Sequence, residues 1–284
     1  MTKSLITSGS PGLGKMRVTV LTDNIGFGQL KGEWGLSFHI EYEGRRILLD
    51  TGGSGLFRTN AESLGIDLSS VDAAVLSHAH YDHSLGMQDF FEVNDKAAFY
   101  LSPYASEDCY AGWRFLSRYI GLPKGILSRY ASRIRRPEGV ARIFPGVFIV
   151  PHSTPGLDRT GRKAHMYRRT GALCYRVDDF SHEQTLVLKA ADGLVILNSC
   201  SHAGADVIVD EVKKAFPADT VRAYIGGLHL FRLNDKEVAD VAGRIRAAGI
   251  TGLYTGHCTG ERAYGILRQE LGDCVHQFHC GMVI

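Results

Sequence analysis

His78-Ala79-His80-Tyr81-Asp82-His83 places three imidazoles and a carboxylate within six residues. Imidazole and carboxylate are ligands that zinc, manganese and iron accept. The residues before them, Asp72 to Ser77, form a short apolar run ending in a small polar residue. That pattern predicts a buried strand that runs out into a loop at His78. His78 and His80 lie two apart and share a side in extended backbone. Asp82 and His83 follow directly and can serve a neighbouring ion if the chain turns into a helix there. A lone histidine is usually structural, but four potential ligands at one strand end point to a metal centre.

Further histidines recur after predicted strands. His202 follows Leu194–Leu197, His229 follows Val221–Ile225 and two glycines, and His257 follows Thr251–Tyr254 between Gly256 and Gly260. Three histidines after three strands can gather at one sheet edge. Other strands are expected over Arg17–Leu21, Leu36–Ile40, Arg46–Leu49, Val147–Val150, Leu173–Val177 and Thr185–Leu188, with a hairpin turn at Glu43-Gly44. Helical spacing is present over Leu56–Leu64, over residues 207–216 and over Asp235–Ala248, the last starting near Asn234 and stopping at Gly249. Residues 104–136 mix Tyr110, Trp113, Phe115, Tyr119 and Tyr130 with Arg114, Arg118, Arg129, Arg133, Arg135 and Arg136. We read helices there, a cap of about residues 104–140 that could stack a ring and pair an anion.

The hexapeptide resembles the HxHxDH signature of the metallo-β-lactamase superfamily. Leu48-Leu-Asp50-Thr-Gly52 resembles that family's early strand ending in Asp-Thr-Gly. Asn198-Ser-Cys-Ser-His202-Ala-Gly204, Gly226-Gly-Leu-His229-Leu230 and Thr255-Gly-His257-Cys-Thr-Gly260 are similar to the branch of dihydropterin–ribofuranosylaminobenzene phosphate synthase-like metal-dependent hydrolases. The resemblance runs from about Met16 to the C-terminus. It implies an α/β fold, a four-layer αββα sandwich, here with the helical insertion. It also implies two divalent metal ions, zinc first, with manganese or iron as alternatives. His78, His80 and a later histidine would hold one ion, and Asp82, His83 and His257 the second.

His202 is the preferred third ligand of the first position, with His152 of Val150-Pro-His152-Ser-Thr-Pro155 as its rival. Where many family members place a bridging Asp, this chain has Ser199 and Cys200. Cys200 is either a thiolate ligand or a small buried hydrophobe. His229 is expected against substrate or behind a ligand. Asp50 is expected to orient a ligand histidine, as carboxylates behind metal ligands do. Asp178, Asp179, His182 and Glu183 line the pocket or cap a turn. His39 reads as structural.

The composition, 44% hydrophobic and 22% charged, is that of a globular protein. Six scattered cysteines without CxxC spacing suggest a reducing compartment, the cytoplasm, and no apolar run is long enough for a membrane span. Residues 1–15 read as a flexible extension before one domain over 16–284. Their Gly9-Ser-Pro-Gly-Leu-Gly14-Lys15 mimics a phosphate-binding loop, but Met16 stands where Ser or Thr is needed and begins a strand. The net charge of +2 is unevenly spread: residues 104–170 carry 13 Lys/Arg against 4 Asp/Glu. A basic middle focuses an anionic small-molecule substrate, with Asp179, Arg133 and Arg136 as candidate contacts. No nucleic-acid motif accompanies the charge, no membrane partner is expected, and a homo-oligomer remains open. The expected chemistry is hydrolysis through a metal-activated water positioned by Asp82, or a related phosphate-handling transfer. A lactonase or thioesterase, and a non-catalytic metal or ligand sensor, are the alternatives.

Overall fold

The computed structural model describes residues 16–112, 116–172 and 174–284. The expected N-terminal extension and Trp113, Arg114, Phe115 and Leu173 lie outside them. Two sheets dominate. A six-stranded sheet runs in the order Met16–Thr22, Ser37–Tyr42, Arg45–Leu49, Ala73–Val75, Ala98–Tyr100, Ile134–Arg135. A seven-stranded sheet runs Val275–Gln277, Gly252–Thr255, Val221–Ile225, Gly193–Leu197, Gln184–Ala190, Val147–Pro151, Ala141–Phe144.

Side-chain alternation decides how the sheets stack. Ile47 and Leu49 face inward with Val18, Phe38 and Ile40, and meet Ile149, Leu186, Leu188, Val195 and Leu197 of the second sheet. Leu48, between Ile47 and Leu49, points outward onto Phe57, Phe90 and Phe99 beside helices Leu56–Ser63 and Met87–Val93. Val187 and Ile196 likewise face outward, against Ile208, Val212, Val238, Ile245 and Leu267 of helices Ala205–Ala215, Asp235–Ala247 and Glu261–Leu271. The order is therefore helix, sheet, sheet, helix, the sandwich expected from the sequence. Each fully buried Leu, Ile or Val contributes about 1.5–3 kcal/mol of transfer energy. The inter-sheet layer is thus a stiff mount for whatever sits at its rim.

The parallel pairings put that rim in one place. Arg45–Leu49 runs parallel to Ala73–Val75, and Gly193–Leu197, Val221–Ile225 and Gly252–Thr255 run parallel to one another. Their C-terminal ends therefore open on a common edge, carrying Asp50, Ser77-His78, Asn198–His202, Gly226–His229 and Gly256-His257. Elsewhere the turn chemistry is local. Glu43 and Gly44, with φ of 46° and 78°, close the expected hairpin. Asn234 caps its helix reciprocally with Glu237.

The expected helical insertion is corrected. Among the described residues of 104–140 only Ile126–Arg129 is α-helical, followed by a 3₁₀ turn at Ala131–Arg133. Cys109–Ala111 and Arg118–Tyr119 instead join Met166–Arg169 and Tyr175–Val177 in a small four-stranded sheet. Gly121, Pro123 and Gly125, the last with φ of 78°, interrupt any helix. The aromatic residues pair across strands, Tyr110 lying 5.2 Å from Tyr119 and 5.4 Å from Tyr175 between ring centroids. Among the described residues no helix is long and apolar enough to cross a membrane.

Candidate metal centre

His78, His80 and His202 form a triangle. Their ring centroids lie 4.6 Å (78–80), 4.8 Å (78–202) and 4.9 Å (80–202) apart. The Nε2 atoms of His78 and His80 and both ring nitrogens of His202 are buried without a hydrogen-bond partner among the described residues. Such nitrogens are costly to bury unless something else satisfies them. Burial, then His182, lowers the pKa of His80 to about 3, and burial with the neighbouring imidazoles depresses His78 and His202 well below the ordinary value. All three are thereby neutral, the form that binds a cation.

A second group adjoins the first. Helix Tyr81–Ser84, one turn long, swings Asp82 and His83 inward. Asp82 Oδ2 stands 3.6 Å from His257 Nε2, and Asp82 Oδ1 stands 3.9 Å from His83 Nε2. Both are too long for hydrogen bonds and leave space between the groups. Burial opposes the Asp82 charge, but His83 and His257 hold the carboxyl well below the usual range. Trp34 Nε1 donates to Asp82 Oδ2 at 2.9 Å. Cys200 Sγ lies 3.2 Å from His83 Nε2, and its ligand atom falls within 4.8 Å of those of His83 and His257, and again of His78 and His202. Cys200 thus stands between the two groups, where the family pattern expects a bridging residue.

The next layer of residues orients these rings. Asp50 accepts from Ser77 N and Ser77 Oγ, both at 2.6 Å, and pairs with His83 Nδ1 at 2.9 Å. Ser77 Oγ in turn meets His78 Nδ1 at 2.9 Å. Asp50 thus bonds the His83 ring and the Ser77 that meets His78, and is not itself in the cluster. Asp23 Oδ1 accepts from His257 N at 2.8 Å, and Asn24 Oδ1 meets His257 Nδ1 at 3.1 Å. His182 Nδ1 accepts from Ala79 N at 3.1 Å, and its Nε2 meets Asp178 at 3.0 Å, pinning the loop between the first two histidines. Asp23, Asn24 and Trp34 escaped the sequence reading because nothing in their spacing sets them apart, whereas His182 belongs to the polar cluster 178–183 singled out there.

Several expected contacts fall elsewhere. His152 is not in the cluster: Nδ1 meets Glu211 at 2.7 Å and Nε2 meets Glu183 at 2.5 Å, so both ring nitrogens are engaged. Burial opposes its charge, yet the two carboxylates raise its pKa to about 9. Glu183 also accepts from His202 N at 3.1 Å, so the clamp steadies the ligand loop. Arg133 donates to the carbonyls of Asn94 and Ala97, and Arg136 to those of Ser102, Pro103 and Ala105. Both tie backbone together, and neither faces the cavity. Asp179 caps a turn through Ser181 and meets Arg176 at 3.5 Å. His39 is buried in its strand, as expected.

A cavity of about 520 Å³ opens over the cluster. Asp82, Cys200, His202 and His229 form its floor, and Trp34, Tyr81, Ile120, Met166 and Phe231 contribute to its walls. Among the described residues its guanidinium groups are Arg118, 5.4 Å over the Tyr81 ring, and Arg232, 5.1 Å over Phe231. The basic segment thus supplies Arg118, not Arg133 or Arg136. Non-glycine residues with positive φ gather at this edge: Asp50, Ser201, His229 and His257. Strain of this kind accumulates where side chains must be aimed.

The sequence model of the Metallo-beta-lactamase superfamily matches residues 35–180, just over half of the chain. The chain belongs to that superfamily. It is 27% identical over 271 residues to a Methanocaldococcus jannaschii 7,8-dihydropterin-6-methyl-4-(beta-D-ribofuranosyl)-aminobenzene-5'-phosphate synthase, covering 88% of this chain and 89% of the relative. Tm1679, described as a metal-dependent hydrolase of the beta-lactamase superfamily, superposes with a TM-score of 0.78 at 27% identity, over 95% of this chain and 98% of that one. Zn(2+)-bound PqqB from Methylobacterium extorquens superposes at 0.53 with 13% identity, over 94% and 99% of the two chains, a likeness of fold alone. Superfamily membership and the branch expected from the sequence thus agree with these comparisons. For this metallo-β-lactamase superfamily member, the buried imidazole nitrogens fit a divalent metal centre.

Proposed function

We propose that this protein is a metal-dependent hydrolase, or a related phosphate-handling transferase, acting on an anionic small molecule. His78, His80 and His202 would hold one divalent cation, and Asp82, His83 and His257 a second, with Cys200 between them and zinc as the favoured ion. The observation that carries this reading is the set of buried ring nitrogens at positions 78, 80, 202 and 257 that have no partner. Ions bound there would act as Lewis acids and bring the pKa of a coordinated water from about 16 toward 7.

The protein's own groups supply the rest. Asp82, kept ionised and anchored by Trp34, lines the cavity and would orient the attacking water. Arg118 and Arg232 would hold the anionic part of the substrate. Among the described residues neither has a carboxylate partner. Trp34, Tyr81 and Phe231 give a flat group somewhere to rest. The name of the M. jannaschii relative, a synthase of a phosphorylated product, supports keeping transfer beside hydrolysis. The six unpaired cysteines support a cytoplasmic setting.

The test is metal analysis of the purified protein together with turnover of phosphodiester, phosphomonoester and lactone probes. Turnover of a phosphate probe that follows metal content supports the reading. Preference for the lactone favours a lactonase, and stoichiometric metal without turnover of any probe favours a sensor. Arg118→Ala and Arg232→Ala should each lower kcat/KM for an anionic probe at least about tenfold, the loss of one charge-assisted contact of about 1.5–3 kcal/mol. The neutral lactone should be little affected. Equal losses on both probes would reject the anion-binding role.

A further inference from the structure

We propose that Cys200, Cys258 and His229 form a thiolate-rich cation position of their own, beside the two positions above and sharing the Cys200 sulfur with them. The inference rests on the metal-centre reading and adds two ligands, Cys258 and His229, to it. Cys258 follows His257 in the chain and lines the same cavity. Its Sγ lies 3.3 Å from that of Cys200, and the ligand atoms of Cys200, His229 and Cys258 all fall within 4.8 Å of one another.

Three independent features aim these groups at one point. His229 Nδ1 is buried with no hydrogen-bond partner, as are the nitrogens of the first triangle. The backbone N–H of His229 donates to Cys258 Sγ at 3.2 Å and fixes that sulfur beside the His229 ring. Gly227 makes room for that sulfur: a Cβ there would stand 2.6 Å from Cys258 Sγ. Spacing also bears on the role. Two thiolates on one tetrahedral ion, each about 2.3 Å from it, lie about 3.8 Å apart, whereas a disulfide requires about 2.05 Å. The observed 3.3 Å is nearer the first. By contrast, Cys280 is engaged by the carbonyls of Asp23 and Lys31.

Thiolates prefer zinc, cobalt or cadmium over magnesium and manganese. The position would therefore take a thiophilic divalent ion and bias the whole centre toward such ions.

Full-length protein, reduced and metal-stripped, is titrated with Co²⁺, counting bound ions by elemental analysis and following sulfur-to-cobalt charge transfer in the near ultraviolet. Wild type is expected to bind one ion more than Cys258→Ser, and the variant should lose about half of the charge-transfer intensity, one of two thiolates. Cys258→Ala should behave alike, which separates ligand loss from any effect of the serine hydroxyl. His78→Ala/His80→Ala should keep the Cys258-dependent band. An unchanged ion count and band in Cys258→Ser would overturn the proposal, as would a Cys200–Cys258 disulfide found by mass spectrometry in freshly purified protein. If two ions bind with no Cys258-dependent band, this inference alone fails. If no ion binds at all, the metal-centre reading fails with it.

Discussion

Replacing His78 and His80 together by alanine should strip most of the bound divalent metal and abolish turnover, while the far-ultraviolet circular dichroism stays close to that of wild type. Each ring ends in a buried Nε2 without a partner, so neither is held by the protein through that atom. Both belong to the loop after a strand that is anchored on its other side, by Asp50 and Ser77 and by His182 at Ala79 N. The scaffold therefore does not depend on the two rings, whereas the cation position does. The fall in activity should exceed the about 10–100-fold that accompanies loss of a residue behind a metal ligand. Stoichiometric metal in the double variant, by elemental analysis, would contradict the assignment.

A large effect on stability is expected at His152. His152→Ala leaves Glu183 and Glu211 as neighbouring buried carboxylates without the cation between them, and breaking a buried pair of this kind costs about 3–5 kcal/mol. Urea unfolding followed by circular dichroism measures it. The pH dependence has a definite sign. The folded-state pKa of His152 is about 9 against an ordinary 6.5, so the folded state binds the proton more tightly. Its contribution is full below about pH 6.5 and fades as pH rises to about 9, by about 3 kcal/mol over that window. Wild type should lose stability across the window and His152→Ala should not. Parallel profiles for the two proteins would reject the clamp as a source of stability.

The two sheets, and the strand ends that carry the site, were legible because alternation and turn chemistry are local. Ile47 and Leu49 against Leu48, Glu43-Gly44 as a turn and Asn234 as a cap each declare themselves within a few residues. The hexapeptide was legible for the same reason. The partner that completes the first triangle was legible only as a preference for His202 over His152. His152 and His202 each follow a strand, and only the tertiary fold shows His152 held by Glu183 and Glu211 while His202 meets His78 and His80.

Arg133 and Arg136 misled because a charge count does not reveal which guanidinium finds a carbonyl. Arg133 meets the carbonyls of Asn94 and Ala97, far along the chain. The insertion misled because aromatic spacing suits a helix and a strand pair alike, and here Tyr110 and Tyr119 pair across strands. Asp23, Asn24 and Trp34, which hold His257 and Asp82, come from the first strand's end and the loop beyond it, more than 200 residues before His257.

The most direct test is a crystal structure of the metal-loaded protein with anomalous scattering recorded at the absorption edge of the bound metal. The account predicts one peak within bonding distance of His78, His80 and His202 and another within bonding distance of Asp82, His83 and His257. Peaks only at other residues, or none in protein that elemental analysis shows to carry metal, would contradict it.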